Sequence, residues 1–349
     1  MNAPVYITRS ASALPNAPVE NDAVEAILGQ VGARPSRARR VVQRSNGIQR
    51  RFYAVDPATG EPSHSNAALT AQAIRGLLGN GFALEDIDCL ACGTSNADQI
   101  LPNHAVMVHG ELGAPPCEVV ATSGVCLSGT TALKYGWMSV LSGSSRRAVV
   151  TGSEIASAVL RAKNYGDAEL TFDEDFLRWM LSDAAGALLL ESQPRRGLNL
   201  RIEWLDLFSY ANELPTCMYM GADQRLRQDV RLLNEAVVDY TLVKPLQRVV
   251  AKRALSAARV DWFLPHMSSE YFRRPVTEGL ARAGLPIPQE RWFTNLTSVG
   301  NVGAAAIYLM LDELLRSGRV RAGHKLLCFV PESGRFSSGF IYLTAHAHA

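Results

Sequence analysis

Short apolar runs alternate with longer amphipathic stretches along this chain, and that alternation constrains the fold more than any other feature. Brief apolar runs suit buried strands, and amphipathic stretches suit helices laid on a sheet. Cys117–Ala121, Ala148–Gly152, Ala185–Glu191, Leu198–Leu207, Trp262–Leu264, Leu326–Val330 and Gly339–Thr344 read as strands. Ala67–Leu78, Gly129–Leu141, Leu232–Ala257, Tyr271–Ala283 and Gly303–Ser317 read as helices. The pattern predicts an α/β protein. With 349 residues, 47% hydrophobic and 19% charged, the chain can build a large core in one large or two medium domains, and is not expected to be disordered.

The best candidate boundary is Gln193–Leu198, a polar, turn-forming run between two apolar strands. It divides the chain into residues 1–192 and 193–349, and each part shows the same outline of strand, helix, strand, helix and closing strands. The net charge of +2 gives no basic surplus for nucleic acid. Six cysteines are too few for a disulfide scaffold. Cys89 and Cys92 form a CxxC, but the second pair of a structural zinc site is missing, and Ile87–Gly93 reads as a buried strand running into a turn. No metal is expected. No run reaches the roughly 20 apolar residues of a membrane span, and Met1–Leu14 lacks a signal-peptide core. A cytoplasmic protein is the expectation. The arginine-rich stretch from Arg34 to Arg51 is either a solvated helix and loop or a surface for an acidic partner.

Three segments carry chemistry. In Ala121-Thr122-Ser123-Gly124-Val125-Cys126-Leu127-Ser128-Gly129-Thr130 a strand ends in small residues, turns at Cys126 and starts a helix. Small neighbours allow a sharp bend and close approach of a substrate. A thiol at a helix N-terminus is expected to feel the positive end of the helix dipole, which favours the nucleophilic thiolate. The plainer reading of Cys126 is a small core residue. Val260-Asp261-Trp262-Phe263-Leu264-Pro265-His266 places a histidine just past a strand's carboxyl end, where ligand crevices of α/β folds open; a surface histidine is the alternative. Asn301 lies between glycines before an alanine-rich helix, where an N-cap is the plainer role.

In this order and spacing the three segments resemble the thiolase-fold β-ketoacyl-acyl-carrier-protein synthases of type III. Further matches are Ser45-Asn46-Gly47-Ile48-Gln49-Arg50-Arg51, Leu101-Pro102 and Ser182-Asp183-Ala184-Ala185-Gly186-Ala187. The resemblance implies a duplicated α-β-α-β-α sandwich of five layers, usually a homodimer, with the nucleophile in the first half and the His and Asn in the second. It implies that Cys126 carries an acyl group and that His266 and Asn301 stabilise an enolate during a Claisen-type condensation. The N–H groups of Cys126 and Gly334 would form the oxyanion hole. No cofactor is implied; the substrates are thioesters of phosphopantetheine on an acyl carrier protein, or of coenzyme A. An ester- or amide-forming acyltransferase of the same fold is the alternative.

Several positions depart from the family pattern. Val41 and Asp175 stand where other members sandwich adenine, which favours a carrier protein over coenzyme A. Ser269 replaces an asparagine near the pantetheine, and Glu332-Ser333-Gly334-Arg335 replaces a glycine-rich loop, so that Glu332 and Arg335 are expected to reshape the acyl pocket or its mouth. Leu101 matches a residue that reaches into the partner's acyl pocket. The run Pro331-Glu332-Ser333-Gly334-Arg335-Phe336 is similar to ketosynthases of dialkylresorcinol and aryl-polyene pathways. Lys244, Arg273 and Arg274 are candidate docking residues for an acidic carrier.

Overall fold

The computed structural model describes residues 4–36, 38–166, 170–221 and 223–349. Among these, nine strands form one central sheet: β1 (Tyr6–Ala13), β2 (Cys89–Thr94), β3 (Glu118–Ser123), β4 (Arg147–Glu154), β5 (Ala184–Glu191), β6 (Gly197–Ser209), β7 (Trp262–Pro265), β8 (Lys325–Glu332) and β9 (Ser337–His348), in the order β7-β8-β9-β6-β1-β5-β4-β2-β3. Strands β1–β5 make one arm and β6–β9 the other. The chain passes between the arms at residues 192–196, and β1 joins them by pairing with both β5 and β6. All eight strands read from sequence, Ile87–Gly93 included, are present.

Both faces of the sheet are buried, so adjacent residues enter different cores. Leu90, Val149 and Leu189 face an outer core with the helices Asn66–Arg75 and His104–Leu112. Ala91, Val150 and Leu188 face an inner core around the helices Leu127–Ser142 and Ala306–Arg316. Leu326, Cys328 and Ile341 of the other arm enter that same inner core. Leu327, Phe329 and Phe340 face a third core with Leu233, Leu242 and Val276. Helices, sheet, helices, sheet and helices thus stack in five layers. This is the thiolase fold. Cys89 and Cys92 enter different cores from opposite faces of β2, which removes them as a chelating pair.

The stretch Leu232–Ala257, expected as one helix, is three. Val230–Val238 and Lys244–Arg253 flank a π-helical turn, Asp239–Val243. Pro245 has no N–H for the carbonyl of Thr241 and its ring would clash there, so the regular ladder cannot continue. Such wide turns are common at functional sites.

Candidate active site

Strands β2, β3 and β4 run parallel and in register, with Thr94 level with Ser123 and Ser153. Strands β7 and β8 are also parallel. The carboxyl ends of both sets open on one site. Gly124 and Val125 follow β3, and Cys126 is the N-cap residue of the helix Leu127–Ser142. Its backbone N–H has no acceptor among the described residues. The thiol does not behave as a lone cysteine at a helix N-terminus should. Burial, then the charges of Glu332 and Glu154, push its pKa well up. Burial foremost, with the two carboxylates adding to it, opposes the thiolate preference expected from the helix dipole.

His266 follows β7, and its backbone N–H continues the parallel ladder to the Phe329 carbonyl at 2.8 Å. Burial lowers its imidazole to about 4, which leaves it neutral at pH 7. Asn301 is buried and held by its backbone, donating to Met180 O at 3.1 Å and accepting from Ser182 N at 2.9 Å. Its Oδ1 accepts the Gly303 N–H at 3.2 Å, so the amide nitrogen is the end left to donate. Cys126, His266, Asn301 and Glu154 all line one cavity of about 310 Å³. Its apolar wall includes Leu177, Met180, Met218 and Met220, with Thr241 and Leu242 from the π-helical turn.

Other expected site residues lie elsewhere. Ser269 is buried away from the cavity, with its hydroxyl donating to Ser45 O at 3.3 Å; Ser268 lines the cavity instead. Gly334 packs on Val125, and its carbonyl accepts the Cys217 and Met218 N–H groups; Ser333 reaches the cavity. Ser268 and Ser269 leave the backbone on different sides, so an offset of one residue changes which lines the wall, whereas Gly334, expected to act through its N–H, lies beside the cysteine's turn. Glu332 is turned toward the Cys126 turn rather than the cavity, and Arg335 donates to Leu214 O at 3.2 Å. Leu101 is 82% exposed and outside this chain's cavity. Lys244, Arg273 and Arg274 pair with Glu213, Glu270 and Glu278 respectively.

Residues 250–342 match the C-terminal region of 3-oxoacyl-[acyl-carrier-protein] synthase III. The chain is 26% identical over 305 residues to the β-ketoacyl-[acyl-carrier-protein] synthase III of Rhizorhabdus wittichii, covering 86% of this chain and 88% of the relative. It is 28% identical over 291 residues to synthase III 2 of Deinococcus radiodurans, covering 80% and 79%. Over most of its length the chain is therefore similar to β-ketoacyl-[acyl-carrier-protein] synthases III. Among solved structures its fold resembles AbyA1, a tetronic acid condensing enzyme, with a TM-score of 0.83, 21% identity and coverage of 97% and 99%. It also resembles Xanthomonas campestris OleA with bound lauric acid and lauroyl-CoA, with a TM-score of 0.79, 18% identity and coverage of 99% and 100%.

At the two positions matched to the adenine site, this chain has no stacking pair. Asp175 is buried and accepts the Trp179 indole N–H at 2.9 Å, while Val41 is exposed. Sequence reasoning missed Glu154, because the strand was read only to Gly152 whereas β4 runs on to Glu154. Ser95 Oγ donates to one carboxyl oxygen and the Ala304 N–H to the other at 3.4 Å. Burial raises this carboxyl from 4.5 to about 7. The unfolded chain therefore ionises first as pH rises, and folded stability falls between pH 4.5 and 7. The drop attributable to Glu154 is roughly 3 kcal/mol. Asp183, raised to about 6 by burial, acts in the same direction. Glu154→Gln is expected to show a much shallower loss of stability from pH 5 to pH 8 in urea unfolding. An unchanged pH slope would remove Glu154 as its source.

Proposed function

We propose that this chain is a ketosynthase that joins two carrier-bound acyl groups by a Claisen-type condensation through an acyl group held on Cys126. The observation that carries the reading is the meeting of Cys126, His266 and Asn301 in one largely apolar cavity. The Cys126 sulfur attacks an acyl thioester, and the acyl group is retained as a new thioester. The unpaired Cys126 N–H is available to hold the oxyanion. The second thioester then enters, and the His266 imidazole and Asn301 amide donate to its carbonyl as an enolate develops. Neutral donors stabilise that charge, and the lowered His266 pKa suits the role. A malonyl unit reaches the enolate by losing carbon dioxide; a β-ketoacyl unit reaches it by passing an α-proton to the Glu154 carboxylate in the same cavity, which returns it to the departing Cys126 sulfur. The carbanion attacks the acyl group and releases Cys126. No step calls for a cofactor.

We read residues 1–192 and 193–349 as the two thiolase-like halves. The similarity of Pro331–Phe336 to dialkylresorcinol ketosynthases favours a β-ketoacyl second substrate and a cyclohexanedione-type product. Asp175 and Val41 offer no stacking surface for adenine, which favours an acyl carrier protein over coenzyme A. With Lys244, Arg273 and Arg274 already paired, Arg40, Arg44 and Arg248 are the better docking cations: all are exposed, and none has an ion-pair partner among the described residues. A homodimer is supported by the unpaired edge of β3 and the exposed Ile100 and Leu101 in the loop after β2.

Incubation with defined pairs of carrier-bound acyl and β-ketoacyl thioesters tests the reading by product mass. The expected product is a ketone or its cyclised form. An ester or amide would instead identify an acyltransferase, and failure of Cys126 to acylate with any thioester would defeat both.

A further inference from the structure

The carboxylate at the end of β8 reaches into the turn that presents the cysteine. Glu332 Oε2 accepts the Val125 N–H at 2.9 Å and the Leu127 N–H at 3.0 Å. These are the two neighbours of Cys126, so one oxygen brackets the nucleophile and leaves the N–H between them without an acceptor among the described residues. The carboxylate lies close over Gly124, where a Cβ would stand 3.3 Å from the same oxygen. A helix start has unpaired N–H groups and partial positive charge. Here a carboxylate occupies that position beside the thiol.

We propose that Glu332 is a positioning residue for Cys126, which braces the nucleophile turn through both flanking N–H groups and holds the resting cysteine as a neutral thiol. The proposal rests on Cys126 being the acyl carrier. Burial is the largest influence on the thiol, and the charged groups that add to it are Glu332 at the end of β8 and Glu154 at the end of β4, both acidic. The first turn of the cysteine's own helix carries no charged side chain, and His266 at the end of β7 is neutral. Acylation therefore calls for a base. As the sulfur–carbon bond forms, the thiol proton passes to the His266 imidazole. As the original thioester bond breaks, that proton goes to the departing pantetheine sulfur. The sequence conserves atoms and charge and needs no co-reactant.

Glu332→Gln keeps an oxygen acceptor and removes the charge. Iodoacetamide labelling of the Cys126 peptide, followed by mass across a pH series, reads the thiol without any thioester. The labelling midpoint is expected to fall by about one pH unit, equivalent to about tenfold faster labelling below the midpoint. Glu332→Ala, which removes the acceptor as well, is expected to label faster than the wild type yet accept an acyl group from carrier more slowly. A Glu332→Gln profile that overlays the wild type would overturn the proposal, as would wild-type labelling and acylation in Glu332→Ala. Because labelling requires no substrate, these results stand apart from whether the condensation reading itself survives.

Discussion

Cys126→Ala is expected to gain no acyl mass from any carrier thioester and to lose condensation by roughly 10⁴-fold or more, because the covalent route has no other thiol among the described residues lining the cavity. Cys89, Cys92, Cys217 and Cys328 are buried in strands or loops outside it, and Cys117 precedes β3 at its far end. Asn301→Ala should behave differently. Its backbone, not its side chain, joins the Met180–Ser182 segment, so the variant should fold. It should acylate normally and then stall, with condensation down by about 10²–10³, the usual cost of one oxyanion donor. His266→Ala is expected to slow both half-reactions, since the imidazole serves each. Intact-mass spectra of the acylated protein, taken beside product yields, separate the three patterns. A Cys126→Ala protein that still condenses, or an Asn301→Ala protein that fails to acylate, would break this division of roles.

Much of the site was legible because its residues lie at strand ends, and strand ends are where apolar runs stop. Pro265-His266 and the small residues before Cys126 are local signals of that kind. The electrostatics were not legible. Glu332 meets Val125 and Leu127 across more than 200 residues of sequence, and no local pattern announces a pairing of that span. Strand β1 also escaped notice, although it joins the two arms at the middle of the sheet. Its sequence Tyr-Ile-Thr-Arg-Ser-Ala-Ser-Ala is too polar for a buried strand on composition alone. The polarity is satisfied from outside the strand: Ser10 and Ser12 donate to the two carboxyl oxygens of Asp312 on an inner helix, at 2.9 and 2.7 Å. Buried polar groups with partners cost little, so hydrophobicity alone undercounts such strands.

What brings the nucleophile and the Asn301 turn together is a row of missing side chains. Gly93, Gly152 and Gly186 lie level on three adjacent strands. All three face the inner layer, where a Cβ on Gly93 would stand 2.4 Å from Ser128 O, one on Gly152 2.2 Å from Ala304 O, and one on Gly186 2.3 Å from Tyr308 Cβ. Gly129 meets Ala304 O in the same way, at 2.3 Å. The start of the cysteine's helix and the turn after Asn301 therefore rest in a trough that only glycines leave open. Tyr308 Oη closes the contact by donating to Gly129 O at 2.7 Å. Gly152→Ala should consequently be among the most damaging single-methyl changes in the chain. The obstacle is backbone, which cannot rotate aside as a side chain can, so the cost is expected at about 3 kcal/mol or more, with Tm lower by roughly 5 °C. Surviving protein should also condense poorly, because the Asn301 turn must shift to admit the methyl. Gly110→Ala supplies the control: the residue lies in the helix His104–Leu112 with nothing within 4 Å of a new Cβ, and alanine there should be neutral or stabilising by up to about 1 kcal/mol. Equal melting temperatures for Gly152→Ala and the wild type would mean that the trough is not what sets the distance between the two halves of the site.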